Sequence, residues 1–265
     1  VYQTTERPDR AAQAILEGRV VLLTDNSPEA LIFPATLNSL FQTADDYYRN
    51  ERIVTFLRLI RYVAAFLALA LPGLYVAAAT FHPQLLPSNL IRSMAEARSG
   101  VPFPTAAEVL LMELSFELLR EAGLRMPGPA GNTIGIVGGL IVGQAAVSAN
   151  LVSPITVTVA ALTALGSFSI PNEELSEVFR LWKYGILLLG SCFGILGVML
   201  GCFLLLMLMA EQESYGIPWL YPYVGGNLNE RADEKDSMFL AAARKRKRRP
   251  IFAKWGNRIR FRRKS

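Results

Sequence analysis

The hydrophobic and polar positions of this 265-residue chain fall into distinct blocks. In residues 1–52, short apolar stretches alternate with charged ones. Pro8 predicts the start of a helix that ends at Gly18. Two β-type segments, RVVLLT and EALIFP, then flank the turn signal DNSP and predict a hairpin. We therefore expect residues 1–52 to be the end of a soluble α/β domain on the cytoplasmic side.

Apolar runs dominate the block that follows, residues 53–210, and four of them are candidate membrane spans. They cover residues 62–81, 131–150, 155–170 and 184–210. A membrane crossing needs about 20 apolar residues. The third run is slightly short, and the fourth, with 27 residues, can span with tilt. Pro72 predicts a kink within the first run that neighbouring helices stabilise.

A fifth helical segment, residues 105–124, is apolar but contains Glu108, Glu113 and Glu117. A charge at the centre of a membrane costs about 2.5–3.5 kcal/mol, whereas each leucine returns only about 0.5 kcal/mol. We therefore expect this acidic helix to be membrane-associated, lying at the interface or facing protein or water. A full crossing is the alternative, and it would move one end of the chain to the other side.

Composition and charge support a membrane protein. The chain is 52% hydrophobic and 18% charged, compared with about 25% charged residues in soluble domains. Its net charge is +5, and residues 211–265 hold 14 of the 27 Lys and Arg. The block RKRKRR at 244–249 predicts a cytoplasmic tail near anionic lipid rather than a nucleic-acid site. Arginines before the first run favour the same side, so the number of crossings should be even.

The predicted fold is thus mainly α, a polytopic membrane protein with about four transmembrane helices and one acidic membrane-associated helix. Glycines recur on two of the apolar runs with small-xxx-small spacing, which lets membrane helices pack closely. In water such a helix would lose roughly 1 kcal/mol for each interior glycine. The glycines predicted to pack are Gly131, Gly135, Gly139, Gly143, Gly190, Gly194, Gly197 and Gly201.

The side of the 131–150 helix opposite its glycines carries a sparse polar stripe, about 80° wide at 100° per residue. The stripe consists of Thr133, Val137, Ile141, Gln144 and Ser148. We expect it to line a water-accessible path for ions. The alternative is a buried helix in which Gln144 makes one hydrogen bond to a neighbouring helix.

Glu113, Glu117 and Arg120 share one face of the acidic helix, so Arg120 can compensate one carboxylate. The second carboxylate would then attract cations at a vestibule, or else form a structural pair at the interface. The chain contains one histidine and two separated cysteines, so no metal-ligand cluster is expected. Neither a nucleophile with its base nor a phosphate loop is visible, and we expect no enzyme activity and no cofactor.

Several long motifs resemble the A subunits of spore germinant receptors, the GerA family. They include ERPDR at 6–10, DDYY at 45–48, RYVAAFLALALPGLYVAAATFHPQLLP, ELSFELLREAGLRMPGPAGNTIGIVGGLIVGQAAV and SFSIPN. The resemblance runs in order from residue 6 to about 210 and does not extend to the basic tail after 240. The large soluble N-terminal domain of the family is mostly absent, so an upstream domain is expected.

The resemblance implies a multi-pass protein of the inner endospore membrane that acts with a transporter-like B subunit and a lipoprotein C subunit. It further implies a homo-oligomeric, pentameric channel in membrane lipid that releases monovalent cations when nutrient is sensed. A close relative encoded with dipicolinate-release proteins fits equally well. A component of a secondary transporter and a non-conducting scaffold for a nutrient-binding partner are the other functions considered, although no internal repeat of the transporter kind is found.

Overall fold

A computed structural model of the chain describes residues 2–125, 129–224, 236–241 and 250–253. For residues 124–125, 129–137 and 140 the description is limited to the helical backbone. The basic block at 244–249 lies outside the described residues.

The chain divides into two compact units. The first consists of residues 1–63, 170–175 and 205–265, and the second of residues 64–169 and 176–204. The tail segments therefore belong with the N-terminal residues, whereas the sequence-based boundaries at 52 and 210 separated them.

The first unit begins with a small antiparallel sheet. Strands β1 (Gln3–Thr5), β2 (Val20–Leu23) and β3 (Ala30–Phe33) are ordered β1-β3-β2, and helix α1 (Pro8–Leu16) connects the first two. In the register of the hairpin, Val20 is opposite Phe33. The helix starting at Pro8 and the hairpin, both predicted from the sequence, are confirmed.

Short capped elements follow the sheet. They are α2 (Leu37–Phe41) and a 3₁₀ turn (Ala44–Tyr47), each preceded by a threonine with a capping-box arrangement. Strands β4 (Glu213–Ser214) and β5 (Ile217–Pro218) return to this region from the end of the last helix. The Leu37 amide donates to the Trp219 carbonyl over 2.8 Å, so the post-helical segment packs beside α2.

Seven longer helices account for most of the described residues. They are α3 (Glu51–Thr80), α4 (Ser88–Arg98), α5 (Thr105–Arg125), α6 (Pro129–Ser148), α7 (Pro154–Phe168), α8 (Glu173–Phe193) and α9 (Ile195–Glu211). Among the residues that the structure describes, α3 is the one helix with the length and hydropathy of a membrane span. Helices α7 and α9 are apolar but shorter. The predicted count of about four spans is therefore not confirmed.

Within the second unit, α3, α5, α6, α7, α8 and α9 run in alternating directions. Helices α3 and α7 are antiparallel, because Gly166 contacts Ala64 and Thr156 contacts Tyr75. Helices α5 and α6 are antiparallel as well, with Met112 near Ala146 and Leu119 at Gly138, whereas α5 and α7 are parallel, with Thr156 at Glu108 and Phe168 at Arg120. In the α8–α9 pair, Ile186 contacts Gly201. The acidic helix α5 is thus a full member of the bundle, in contact with α6 and α7 along its length.

The predicted single span over 184–210 is wrong, because the chain turns back at Gly194. This residue has φ +63°, a left-handed conformation that glycine adopts at little cost. A Cβ at Gly201 would lie 2.8 Å from the Ile186 side chain, and one at Gly190 would lie 2.9 Å from Val198. The run is therefore a tight hairpin of α8 and α9, and α8 also includes the amphipathic segment from Glu173 onward.

Candidate functional site

The carboxylates of α5 form the main polar feature of the helix bundle. Glu108, in the first turn of α5, is fully buried. Its carboxylate accepts hydrogen bonds from Arg98 Nε (3.1 Å), the Ser153 amide (3.0 Å) and Thr156 Oγ1 (3.1 Å). Because Ser153 is the N-cap of α7, the negative charge of Glu108 lies at the positive end of that helix. Glu108 therefore joins α4, α5 and α7.

Two further carboxylates of α5 pair with basic side chains of α8. Lys183 Nζ donates to Glu113 Oε2 over 2.6 Å, and both residues are buried, with 5% and 1% exposure. One turn along, Arg180 pairs with Glu117 and with Glu177 of its own helix. We call Glu113, Glu117, Arg180 and Lys183 the ion-pair ladder. Removing one partner of such a buried pair typically costs about 3–5 kcal/mol.

The ion-pair ladder corrects the predicted pairing of Arg120. The guanidinium of Arg120 lies 4.1 Å from the centroid of the Phe168 ring on α7, while α8 compensates both Glu113 and Glu117. An ion pair between two side chains of one helix stabilises it by only about 0.2–0.5 kcal/mol. Basic side chains of the antiparallel helix α8 can therefore take the place of Arg120 as partners of Glu113 and Glu117. No carboxylate of this pair is therefore left over for cations in this conformation.

Sequence reasoning missed Arg180 and Lys183 because it treated residues 171–183 as a connector outside the helices. The sequence did contain a signal. Arg180 and Lys183 are three residues apart and Glu113 and Glu117 are four apart, so each pair lies on one face of its helix and the two faces can form ion pairs if the helices are antiparallel. Assigning the segment from Glu173 to the last helical run would have predicted this match.

Helix α6 has two different faces in its described part. A Cβ at Gly139 would lie 3.6 Å from the Phe116 ring of α5, and one at Gly143 would lie 3.4 Å from Val157 of α7. The glycine face therefore packs against neighbouring helices of the same chain.

The opposite face of α6 is open. Ile141 is 58% exposed, and Gln144 and Ser148 are exposed as well. For the other four predicted residues of this helix, the structure describes only the helical backbone. They are Gly131, Thr133, Gly135 and Val137.

The glycines of the last apolar run lie on the two arms of the α8–α9 hairpin. Gly190 and Gly201 bring the arms together, Gly194 forms the turn, and Gly197 lies against the Leu189 backbone. The predicted pairs Gly190/Gly194 and Gly197/Gly201 therefore close one hairpin within the chain.

A further restrictive glycine of the second unit, Gly166, was not singled out from the sequence. A Cβ at Gly166 of α7 would lie 2.5 Å from the Ala64 carbonyl oxygen and 3.1 Å from the Ala68 amide nitrogen of α3. The only sequence signal was one glycine within an Ala- and Thr-rich run.

Large apolar side chains are exposed on the outer faces of the second unit. The most exposed examples include Leu165, Phe168, Phe193, Leu196, Met199 and Phe203, each between 62% and 74%. A lipid environment would cover these side chains, whereas soluble monomers rarely expose large contiguous apolar patches. In the part of the chain that the structure describes, no group of three or more His, Cys, Asp or Glu side chains could hold a metal ion.

Comparison with known proteins agrees with a membrane location. Residues 1–252 match the family model described as Bacillus/Clostridium GerA spore germination protein. The chain is 42% identical over 240 residues to the uncharacterized membrane protein YfkQ of Bacillus subtilis (strain 168). The aligned residues make up 91% of this chain and 46% of YfkQ.

Two relatives have names that state a process. Spore germination protein GerLA of Bacillus cereus is 42% identical over 221 residues, covering 83% of the chain and 45% of the relative. Spore germination protein A1 of Bacillus subtilis (strain 168) is 41% identical over 220 residues, covering 83% and 46%. The chain thus spans about half the length of these relatives. No solved structure matches it.

Proposed function

Because this chain belongs to the GerA family of spore germination proteins, we propose that it is the membrane part of a germinant receptor A subunit. In this proposal the subunit forms a homo-oligomeric, pentameric channel in the inner membrane of the endospore. The channel releases monovalent cations when nutrient is sensed, together with a transporter-like B subunit and a lipoprotein C subunit.

The observation that carries the proposal is the two-sided packing of α6. Its glycine face is occupied by α5 and α7 of the same chain, while Ile141, Gln144 and Ser148 remain open. A uniformly buried helix would not leave its polar positions uncovered. We propose that copies of this open face surround the ion path and that Thr133 and Val137 continue it.

The charges of α5 have two roles in this proposal. Glu113 is buried against Lys183, so it holds α5 and α8 together. The side chain of Glu117 keeps 34% exposure beside Arg180. We therefore propose Glu117 as the carboxylate nearest to a cation vestibule, while Glu113 faces the vestibule only if α8 moves away.

The proposed topology is supported by how the two ends of the chain meet. Within the first unit, Asn38 and Gln42 both donate to the Asp236 carbonyl of the tail. In the proposed topology both segments lie on one side of the membrane, which requires an even number of crossings. Six helices that alternate in direction satisfy this requirement, with the acidic helix included.

Reconstitution of the full-length protein in potassium-loaded vesicles tests the proposal. We expect cation efflux that Gln144→Ala changes, because this substitution removes the polar group of the open face. Ser191→Ala is the matched control, since its hydroxyl is bonded within its own helix, to Leu188, away from α6. Saturable, substrate-coupled flux would favour a transporter, and assembled oligomers without flux would favour a scaffold.

A further inference from the structure

A buried polar cluster lies at the start of α3, within the first unit. Arg58 is 1% exposed, and its Nε donates to Asp46 Oδ2 over 3.1 Å. Asp46 also pairs with Arg61 (3.3 Å) and accepts from the Thr43 hydroxyl (2.8 Å). A guanidinium that is removed from water needs full compensation, and Asp46 is already shared between two arginines.

The tail supplies further compensation through the segment Asp236–Leu240, which we call the tail peptide. Arg58 donates to Asp236 Oδ1 (3.0 Å) and to the Ser237 carbonyl (2.7 Å). The Tyr47 hydroxyl donates to Asp236 Oδ2 over 3.1 Å. The remaining contacts of the tail peptide are Asn38 (3.0 Å) and Gln42 (2.7 Å) to the Asp236 carbonyl and the Leu240 amide to Thr55 Oγ1 (3.2 Å).

These partners form a binding cup that is specific for an acidic peptide. The cup consists of Asn38, Gln42, Tyr47, Thr55 and Arg58. The cup forms hydrogen bonds with the carboxylate, two backbone carbonyls and one backbone amide of the tail peptide. Leu240 is buried at the far end of the tail peptide, while Phe239 remains 63% exposed. Without the tail peptide, Asp46 would be the one carboxylate paired with both Arg58 and Arg61 among the described contacts.

The cup is built partly on the helix that leads towards the membrane. Thr55 and Arg58 lie in the first turns of α3, and the charge-free run of α3 begins at Tyr62. A peptide bound to these two residues therefore restrains the position and rotation of α3, because a helix transmits displacement of one turn to the next.

We propose that the tail peptide is a reversible latch on α3. When docked in the cup, it holds α3 in the closed arrangement, and its release frees α3 during opening. The link to opening rests on the proposed channel function, whereas docking of the tail peptide in the cup does not.

Thiol cross-linking in the full-length protein tests the latch. Thr55→Cys and Leu240→Cys are introduced after Cys192 and Cys202 are replaced by serine, and a short bifunctional maleimide is applied with and without nutrient. We expect efficient cross-linking at rest, lower yield with nutrient, and loss of nutrient-triggered cation release once the link is made. The single Leu240→Cys variant controls for modification alone.

The charge that holds the latch is tested by Asp236→Asn. We expect the docking equilibrium to fall about tenfold or more, since a hydrogen bond to a charged group contributes at least that factor, and cation release to begin without nutrient. Asp25→Asn removes the same charge from an exposed position on the β2–β3 turn and should change neither readout.

Two results would overturn the latch. The first is normal cation release from the cross-linked protein. The second is a cross-linking yield at rest that Asp236→Asn does not lower. Failure of the proposed function is a separate result, in which unmodified protein releases no cations while the cross-link still forms at rest and is lost in Asp236→Asn.

Discussion

Replacement of Lys183 by methionine is the sharpest test of the ion-pair ladder. The substitution keeps most of the side-chain volume but leaves Glu113, 1% exposed, without its cation. Breaking a buried pair in this way costs about 3–5 kcal/mol. The expected loss of stability is therefore about 3–5 kcal/mol.

Thermal unfolding of the full-length protein in detergent measures this loss. At roughly 2–4 °C per kcal/mol for a cooperative unit of about this size, Lys183→Met should lower the Tm by about 6–20 °C. Glu113→Gln combined with Lys183→Met should recover most of that loss. Glu177→Gln is the control, because its side chain is 66% exposed and such pairs contribute about 0–1 kcal/mol. Equal Tm values for Lys183→Met and Glu177→Gln would refute the reasoning.

Two further predictions concern other parts of the chain. Gly166→Ala should destabilise the protein by about 1–3 kcal/mol, because the added Cβ meets backbone atoms of α3. Gly185→Ala, whose nearest neighbour is 4.0 Å away, should not lower stability, since alanine favours a helix over glycine. Comparative Tm values check both expectations. Asp46 should stabilise the first unit above about pH 4 and lose that contribution as pH falls through its folded pKa. Burial raises the pKa of Asp46, but hydrogen bonds and charge from Arg61 and hydrogen bonds from Thr43 outweigh burial and lower it. Protease resistance of wild type should therefore fall in acid, and that of Asp46→Asn should change little there.

Local features could be predicted from the sequence because they depend on neighbouring residues. Pro8 and the DNSP turn determine the first helix and the hairpin, and the bounds of α5 follow from its composition. Ile141 and Gln144, which periodicity assigned to one stripe of α6, are exposed, and their place on an ion path stays a prediction.

Features that depend on distant residues could not be predicted in the same way. The break at Gly194 is invisible to a count of apolar residues, since glycine occurs both within membrane helices and at turns. The partners of Glu113 and Glu117 come from α8, about 65 residues further along the chain. Docking of Asp236 on Arg58 joins positions 178 residues apart, and neither local charge nor periodicity indicates it.

Blocking the ion path at a single position tests the central claim most directly. Full-length Gln144→Cys, with Cys192 and Cys202 replaced by serine, is reconstituted in vesicles, and cation efflux is measured before and after a charged thiol reagent is added from the aqueous phase. The open face of α6 predicts that the reagent reduces efflux through Gln144→Cys and leaves Ser191→Cys unaffected. Efflux that the reagent does not change at Gln144→Cys, despite complete labelling, would contradict the account.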